Sequence, residues 1–341
     1  MKIKIIENEK MKALRSDSYN FNFNKKTGEF IRWGETMEDD PVMGLPEIAD
    51  IEISTACDGV GGKRCEFCYK SSTGKGKYMT FETFKQLFSK LPKSITQIAF
   101  GSSADGLANP DVWKIMDHCR ENGVIPNITI ADISDDTADK LAERCGAVAV
   151  SVYEPRDFCY DSVKKLTDRG MDQVNIHCMI SEETFDKTKE VIDDIKSDSR
   201  LEKLNAIVFL SLKKKGRGIC MNSLTQEKFN EIVEYANVKG VRYGFDSCSA
   251  PKYLKAIEND ENFDKLSIHV EPCESSLFSS YFSTDAKFYA CSFCEGEGEW
   301  KDGIDVIGCD DFIKDVWFSD KVNKFRKKLL SGCRNCPMFD V

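Results

Sequence analysis

The stretch "IEISTACDGVGGKRCEFCYK", residues 51–70, decides how the rest of the chain is read. It begins as a β-branched run and breaks at once into a loop with three cysteines, Cys57, Cys65 and Cys68, and three glycines. A strand over Ile51–Thr55 followed directly by such a loop puts chemistry at a strand's C-terminal end, the face where α/β barrels carry their sites. The spacing C-x7-C-x2-C supplies three thiolates, too few for a closed tetrahedral zinc site unless a fourth residue joins. It suits a [4Fe–4S] cluster with one iron left open. A structural zinc loop and a set of unconnected buried cysteines are the alternatives. The glycines let the longer connection wrap closely, and Phe67, beside Cys68, offers an apolar face to a cofactor ring.

Downstream, short β-branched runs alternate with amphipathic helical patterns. Strands are expected over Gln97–Gly101, Pro126–Ile130, Ala147–Tyr153, Gln173–Ile180 and Asn205–Leu212. Between them, "TFETFKQLFSKL" has Thr80 as its N-cap, "SDDTADKLAERCG" has Ser134 as cap and Gly146 as stop, and "TQEKFNEIVEYANVKG" stops at Gly240. Six βα units imply a parallel sheet with right-handed crossovers, and six do not close an eight-stranded barrel. The expected fold is α/β, a partial (β/α)6 TIM-like barrel over residues 49–246. Upstream, "YNFNFNKKTGEFIRWG" (19–34) alternates about Lys-Thr-Gly, so residues 1–48 are read as a β-hairpin extension. After Asp246 the rhythm breaks. Residues 275–294 suggest a second hairpin turning at Thr284–Asp285, and 310–330 a broken helix. Residues 247–341 are therefore read as a small separate domain.

The chain has 341 residues, a net charge of −9 and a sequence pI near 5.2. That argues against a nucleic-acid coat, which needs a basic face. The local basic runs "LKKKGRG" (212–218) and "RKK" (326–328) are a candidate groove or, alternatively, solvated surface. The N-terminus has no apolar core of signal-peptide length, and no run of about 18 apolar residues occurs, so a cytoplasmic protein with no membrane span is expected. There, clustered cysteines among the 15 present are metal ligands or catalysts before they are disulfides.

The cysteine loop after the first strand, the six βα units and the cysteine-rich tail together resemble the radical S-adenosylmethionine (SAM) superfamily, over roughly residues 50 to 336. That superfamily usually spaces its loop C-x3-C-x2-C with an aromatic before the last cysteine. Here the C-x2-C and Phe67 match, while the first gap is seven, as in an uncommon branch. The resemblance implies that Cys57, Cys65 and Cys68 hold a [4Fe–4S] cluster that binds SAM. Gly101, Ser102 and Ser103 would fill the turn that holds the SAM amino group, with Asp105 in place of the usual acidic residue. Ser151 resembles the position that meets ribose and carboxylate, and Leu210 the adenine edge. In the tail, Cys273-x17-Cys291 and Cys333-x2-Cys336 resemble the twitch form of the SPASM tail, which holds an auxiliary [4Fe–4S] cluster. Cys248, Cys294 and Cys309 are possible further ligands. A zinc ribbon of two C-x2-C knuckles, Cys291/Cys294 and Cys333/Cys336, is the alternative. Cys119, Cys145, Cys159, Cys178 and Cys220 read as small hydrophobes, and His177 either faces the barrel interior or is a core residue.

On this reading the chain is an oxidoreductase. It cleaves SAM reductively to a 5′-deoxyadenosyl radical, which abstracts a substrate hydrogen, and the auxiliary cluster takes the second electron. A peptide or protein side chain is the expected substrate, an extended peptide adding to the N-terminal hairpin's edge. The alternatives are a dehydrogenase of a small molecule such as a sugar alcohol and a non-catalytic zinc scaffold. Asp246 is the candidate proton acceptor. A flavodoxin- or ferredoxin-type electron donor and a separate peptide-recognition partner are the implied protein contacts.

Overall fold

The structure is a computed structural model that describes residues 3–101 and 105–339. Its main sheet has ten strands. Seven run parallel along the barrel: β5 (Ile48–Ile51), β6 (Gln97–Phe100), β7 (Ile125–Ile130), β8 (Val148–Ser151), β9 (Val174–Ile180), β10 (Ala206–Ser211) and β11 (Tyr243–Phe245). Strand β12 (Ser279–Phe282) pairs parallel to β5 on its other side, and β13 (Lys287–Tyr289) and β14 (Ile304–Asp305) follow antiparallel. The partial barrel is therefore confirmed, with a short seventh strand, and the sheet continues across the boundary placed after Asp246. The sheet does not close: its two free edges are β11 and β14, and β12 has β5 on one side and β13 on the other.

The crossover helices are α1 (Phe81–Lys90), α2 (Val112–Glu121), α3 (Asp135–Arg144), α4 (Asp157–Asp168), α5 (Phe185–Ser197) and α6 (Gln226–Lys239). Local chemistry sets their ends. Thr80, Ser134 and Thr225 each accept a backbone N–H from three residues on, and Gly240 closes α6 in the left-handed conformation at φ 62°. Along each strand every second residue, such as Ile51, Phe100, Val150, Ile176 and Phe209, is buried beneath these helices. Cys178 is on that face, against Thr188 of α5. Each such apolar side chain contributes roughly 1.5–3 kcal/mol on burial. The alternate set, including Asp50, Ser151, His177 and Leu210, faces the half-buried barrel interior.

The N-terminal hairpin forms, but as half of a four-stranded antiparallel sheet: β1 (Lys4–Glu7), β2 (Met11–Arg15), β3 (Asn20–Asn24) and β4 (Phe30–Trp33). This sheet covers the N-terminal ends of the barrel strands. Lys12 donates to the Ile95 carbonyl at 2.9 Å, just before β6. Arg32 reaches Glu47, just before β5, at 2.8 Å. The same guanidinium meets Glu271 and Glu274 of the tail at 3.0 and 2.9 Å. The tail adds α7 (Ala250–Ala256), α8 (Phe263–Ser267) and α9 (Asp320–Ser331), the last preceded by a wide helical turn over Phe312–Trp317. Among the described residues no helix is long and apolar enough to cross a membrane.

Candidate functional site

The first cysteine loop leaves β5 and is laced to the segment before α1. Cys57 N–H donates to Thr73 O at 2.9 Å, Thr55 N–H to Lys77 O at 3.0 Å, and Met79 N–H to Ile53 O at 2.9 Å. Asn109 ties both sides, donating to Ile53 O at 2.6 Å and Met79 O at 2.8 Å. Val60 and Lys63 exchange backbone hydrogen bonds across a tight turn. Gly59 enters that turn at φ 80°, and a Cβ there would stand 1.9 Å from Lys63 O, so no other residue fits. Cys68 N–H to Cys65 O and Ser71 N–H to Cys68 O fold the C-x2-C turn.

Cys57, Cys65 and Cys68 are all free and half-buried. Burial pushes the Cys65 thiol up, a hydrogen bond from Tyr153 and the Arg217 charge pull it down, and the charges of Cys57 and Cys68 raise it. The three sulfurs thus stand within electrostatic reach of one another. The Gly59 N–H points at Cys57 Sγ from 3.4 Å. Among the described residues no three His, Cys, Asp or Glu side chains close round a single-ion position. Thiolates about one zinc, with Zn–S of about 2.3 Å, would stand about 3.8 Å apart. Three thiols on one loop, one with an amide aimed at it and a guanidinium nearby, are a donor set that an iron–sulfur cluster with an open iron could use.

Two residues support this loop that the sequence reading did not single out. Tyr153, two residues past β8, bonds Cys65 and Ser151 and stacks on Phe67 with ring centroids 5.7 Å apart. Phe67 is therefore packed on a protein ring. Arg217 donates to Cys65 O at 2.8 Å and Ser72 O at 3.0 Å, and its backbone N–H to Cys68 O at 3.0 Å. Its neighbour Gly216, at φ 59°, lies so close that a Cβ would be 2.4 Å from Tyr69 O. The run 212–218 is thus neither a solvated face nor an open basic groove. Lys213 is buried, Lys215 donates to Phe293 O at 2.9 Å, and Arg217 braces the cysteine loop. In the second run Arg326 is buried over the Trp317 ring at 4.4 Å.

The other expected contacts gather at the same end of the barrel. Gly101 closes β6 at φ 75°, while Ser102 and Ser103 lie outside the described residues. Asp105 is exposed and accepts from Leu107 N–H at 3.0 Å within its own turn. Ser151 ends β8 opposite His177, and Leu210 is on the interior face of β10. His177 faces the interior, near enough to Asp246 to feel its charge. Burial lowers its imidazole to about 4. Asp246 follows β11 and is ion-paired with Lys213, whose side chain is 3% exposed. It also accepts from the Ser249 hydroxyl. Burial lowers the Lys213 ammonium, but Asp246 and the Cys248 and Cys336 charges outweigh this and hold it raised.

In the tail, Cys273, Cys291 and Cys336 line a cavity of about 320 Å³, together with Asp50, Lys213, Asp246 and Cys248. Cys294 is buried with its sulfur 3.3 Å from Cys291 Sγ. Cys333, expected as the fourth ligand, is exposed at φ 52° and is not part of that lining. Cys309 lies apart, beside Lys90.

No family model matches the chain, and no curated protein matches it in sequence. Among solved structures, that of Streptococcus suis SuiB bound to precursor peptide SuiA matches with a TM-score of 0.69 and 11% identity, over 94% of this chain and 90% of SuiB. The chain shares its fold with SuiB. At 11% identity the likeness to SuiB is one of fold. A structure of BtrN in complex with AdoMet and 2-DOIA also matches, over 85% of this chain and 89% of BtrN, but at 15% identity and a TM-score of 0.45 it carries no weight.

Proposed function

We propose that this chain is a radical SAM oxidoreductase that modifies a peptide or protein side chain. The observation that carries the reading is the set of three half-buried thiols, Cys57, Cys65 and Cys68, with Cys65 within electrostatic reach of the other two, after the first barrel strand of a fold shared with SuiB. Cys57, Cys65 and Cys68 would hold a [4Fe–4S] cluster, which with bound SAM would supply the chemistry for hydrogen-atom abstraction from the substrate.

The chain's own residues hold and shield that chemistry. Tyr153 and Arg217 fix the position of Cys65 and favour its thiolate. The side chains facing the barrel interior, Ser151, His177 and Leu210, wall the space above which a substrate would lie, and their half-burial limits water there. Asp246 is the acceptor for a substrate proton, steered by Lys213 and Ser249. An auxiliary cluster in the tail would take the second electron, giving a net two-electron oxidation.

The peptide reading is supported by the fold shared with SuiB, whose structure holds its precursor peptide. A small-molecule reading is favoured by one observation: the N-terminal sheet, whose edge was the expected peptide dock, packs at the barrel end opposite the cysteine loop. Barrel strands of up to seven residues, at about 3.3 Å per residue, put that edge roughly 20 Å from the loop.

The test is anaerobic. Reduced, reconstituted protein should release 5′-deoxyadenosine from SAM, and the variant with Cys57, Cys65 and Cys68 all changed to Ala should not. Persistence of cleavage in the triple variant refutes the reading, as does stoichiometric zinc without iron. Candidate peptides should lose about two daltons, with deuterium from the target carbon passing to 5′-deoxyadenosine. Transfer from a small alcohol alone would select the second reading.

A further inference from the structure

The tail sulfurs are not arranged as the C-x2-C spacing suggests. Cys248 lies on the turn Ser247–Ser249 directly after β11, a free edge of the sheet. Cys273 precedes β12 and Cys291 follows β13, in the hairpin that extends the sheet beyond β5. Cys336 comes in after α9. These four, and no other cysteine among the described residues, line the 320 Å³ cavity. Cys248 is within electrostatic reach of Cys273 and Cys336, and Cys273 of Cys291 and Cys336. The Phe339 N–H donates to Cys336 Sγ at 3.3 Å, as the Gly59 N–H does to Cys57 Sγ. The buried Lys213 ammonium lines the same cavity, paired there with Asp246.

Cys333 is held away. Arg334 donates to Cys273 O at 3.1 Å and Pro272 O at 2.7 Å, fixing the loop so that Cys336 faces the cavity and Cys333 faces solvent. Both Cys333 and Arg334 have positive φ, 52° and 61°, a conformation that non-glycine residues adopt only where surrounding contacts impose it.

We propose that the auxiliary cluster is ligated by Cys248, Cys273, Cys291 and Cys336, with Cys333 left free, so that the cluster ties the end of edge strand β11 to the β12–β13 hairpin of the tail. The inference rests on the auxiliary-cluster part of the proposed function. It also assigns the cluster a second task, which a site built within the tail would lack: it anchors β11, an edge strand paired only with β10, to the tail.

The background for the test is the Cys57, Cys65, Cys68 to Ala triple variant, reconstituted anaerobically, which should retain about four irons. Adding Cys248→Ser should cut that iron by at least half, together with the 400 nm absorbance. Adding Cys333→Ser should leave both unchanged. The unmutated, reconstituted chain gives an independent reading. Iodoacetamide should label Cys333 as readily as the exposed Cys220 and leave Cys248 unlabelled. Amide exchange in Tyr243–Phe245 should slow on cluster loading in the background variant and not in its Cys248→Ser derivative. Iron lost with Cys333→Ser, or Cys333 shielded on loading, overturns the ligand set while leaving an auxiliary cluster in place. A background variant that binds no iron removes the auxiliary cluster itself.

Discussion

Replacing Arg217 with Met should loosen the first cysteine loop in two measurable ways. The guanidinium donates two charge-assisted hydrogen bonds, to Cys65 O at 2.8 Å and Ser72 O at 3.0 Å. Hydrogen bonds from charged groups are each worth about 1.5–3 kcal/mol, and because Arg217 is half-buried the lower figure applies, giving about 3 kcal/mol in all. An unfolding entropy of about 2.1 cal/mol/K per residue over 341 residues is about 0.7 kcal/mol/K, so the melting midpoint should fall by about 4 °C. The second effect is on the thiol. Burial already raises Cys65, and Arg217 is one of the groups that lower it. Its removal raises Cys65 further, so in metal-free protein the alkylation of Cys65 at pH 8 should slow more than that of Cys57 or Cys68, followed by mass spectrometry. Arg217→Lys should restore the thiol reactivity more than the melting point, since it keeps the charge but not the planar fork. A midpoint within 1 °C of the parent, with Cys65 alkylated at the parental rate, would show that Arg217 does not brace the loop.

Three further outcomes are expected. His177 has a folded pKa near 4 against about 6.5 unfolded, so it binds its proton more readily unfolded; its contribution of up to about 3 kcal/mol is present above pH 6.5 and lost as the pH falls towards 4. The urea midpoint of His177→Gln should therefore fall less between pH 6.5 and 4.5 than that of the parent. Arg32→Leu leaves Glu47 buried without its cation and should cost about 3–5 kcal/mol in urea unfolding. Burial already raises the Glu47 carboxyl to about 7 against Arg32's pull, so this deficit should be smaller at pH 5.5, where Glu47 takes up a proton, than at pH 8. Gly59→Ala puts a Cβ 1.9 Å from Lys63 O at a left-handed φ and should lower iron retained by the first loop while leaving tail iron unchanged, as counted in chains carrying Cys273→Ser or the first-loop triple variant.

Elements whose signals are local were legible in the sequence. The Thr80 and Ser134 caps act within three residues of themselves, and the six longer strands carry their own β-branched runs. What was missed depends on distant partners. Strands β1 and β2 do not show an alternating pattern because Lys12, at a core position, is satisfied by Ile95 O, 83 residues away. Strand β11 is three residues long, too short for a periodicity. Strand β5 runs over Ile48–Ile51 and shares only Ile51 with the expected Ile51–Thr55, because its register is set by β6 and by β12 of the tail. At the site, the three cysteines and their place after the first strand could be read directly. The work of Lys213, Lys215 and Arg217 could not, because a basic run looks solvated until the oxygens it meets, 33 to 152 residues off in sequence, are brought to it. Tyr153 had a signal, its place in the "SVY" that ends β8, but only its contact with Cys65 gives it a task.

The pairing of β12 with β5 bears on how the chain is made. Strand β5 is synthesised early, yet its outer neighbour lies roughly 230 residues later, which at about 5–20 residues per second is a wait of roughly 10–50 s on the ribosome. Through that interval one edge of the growing barrel presents unpaired backbone, the kind of surface that templates aggregation. The nascent chain thus needs either a chaperone or the charged Glu52, Lys70 and Lys77 beside that edge to hold other strands off, and truncations ending before residue 282 should be insoluble where the full chain is not.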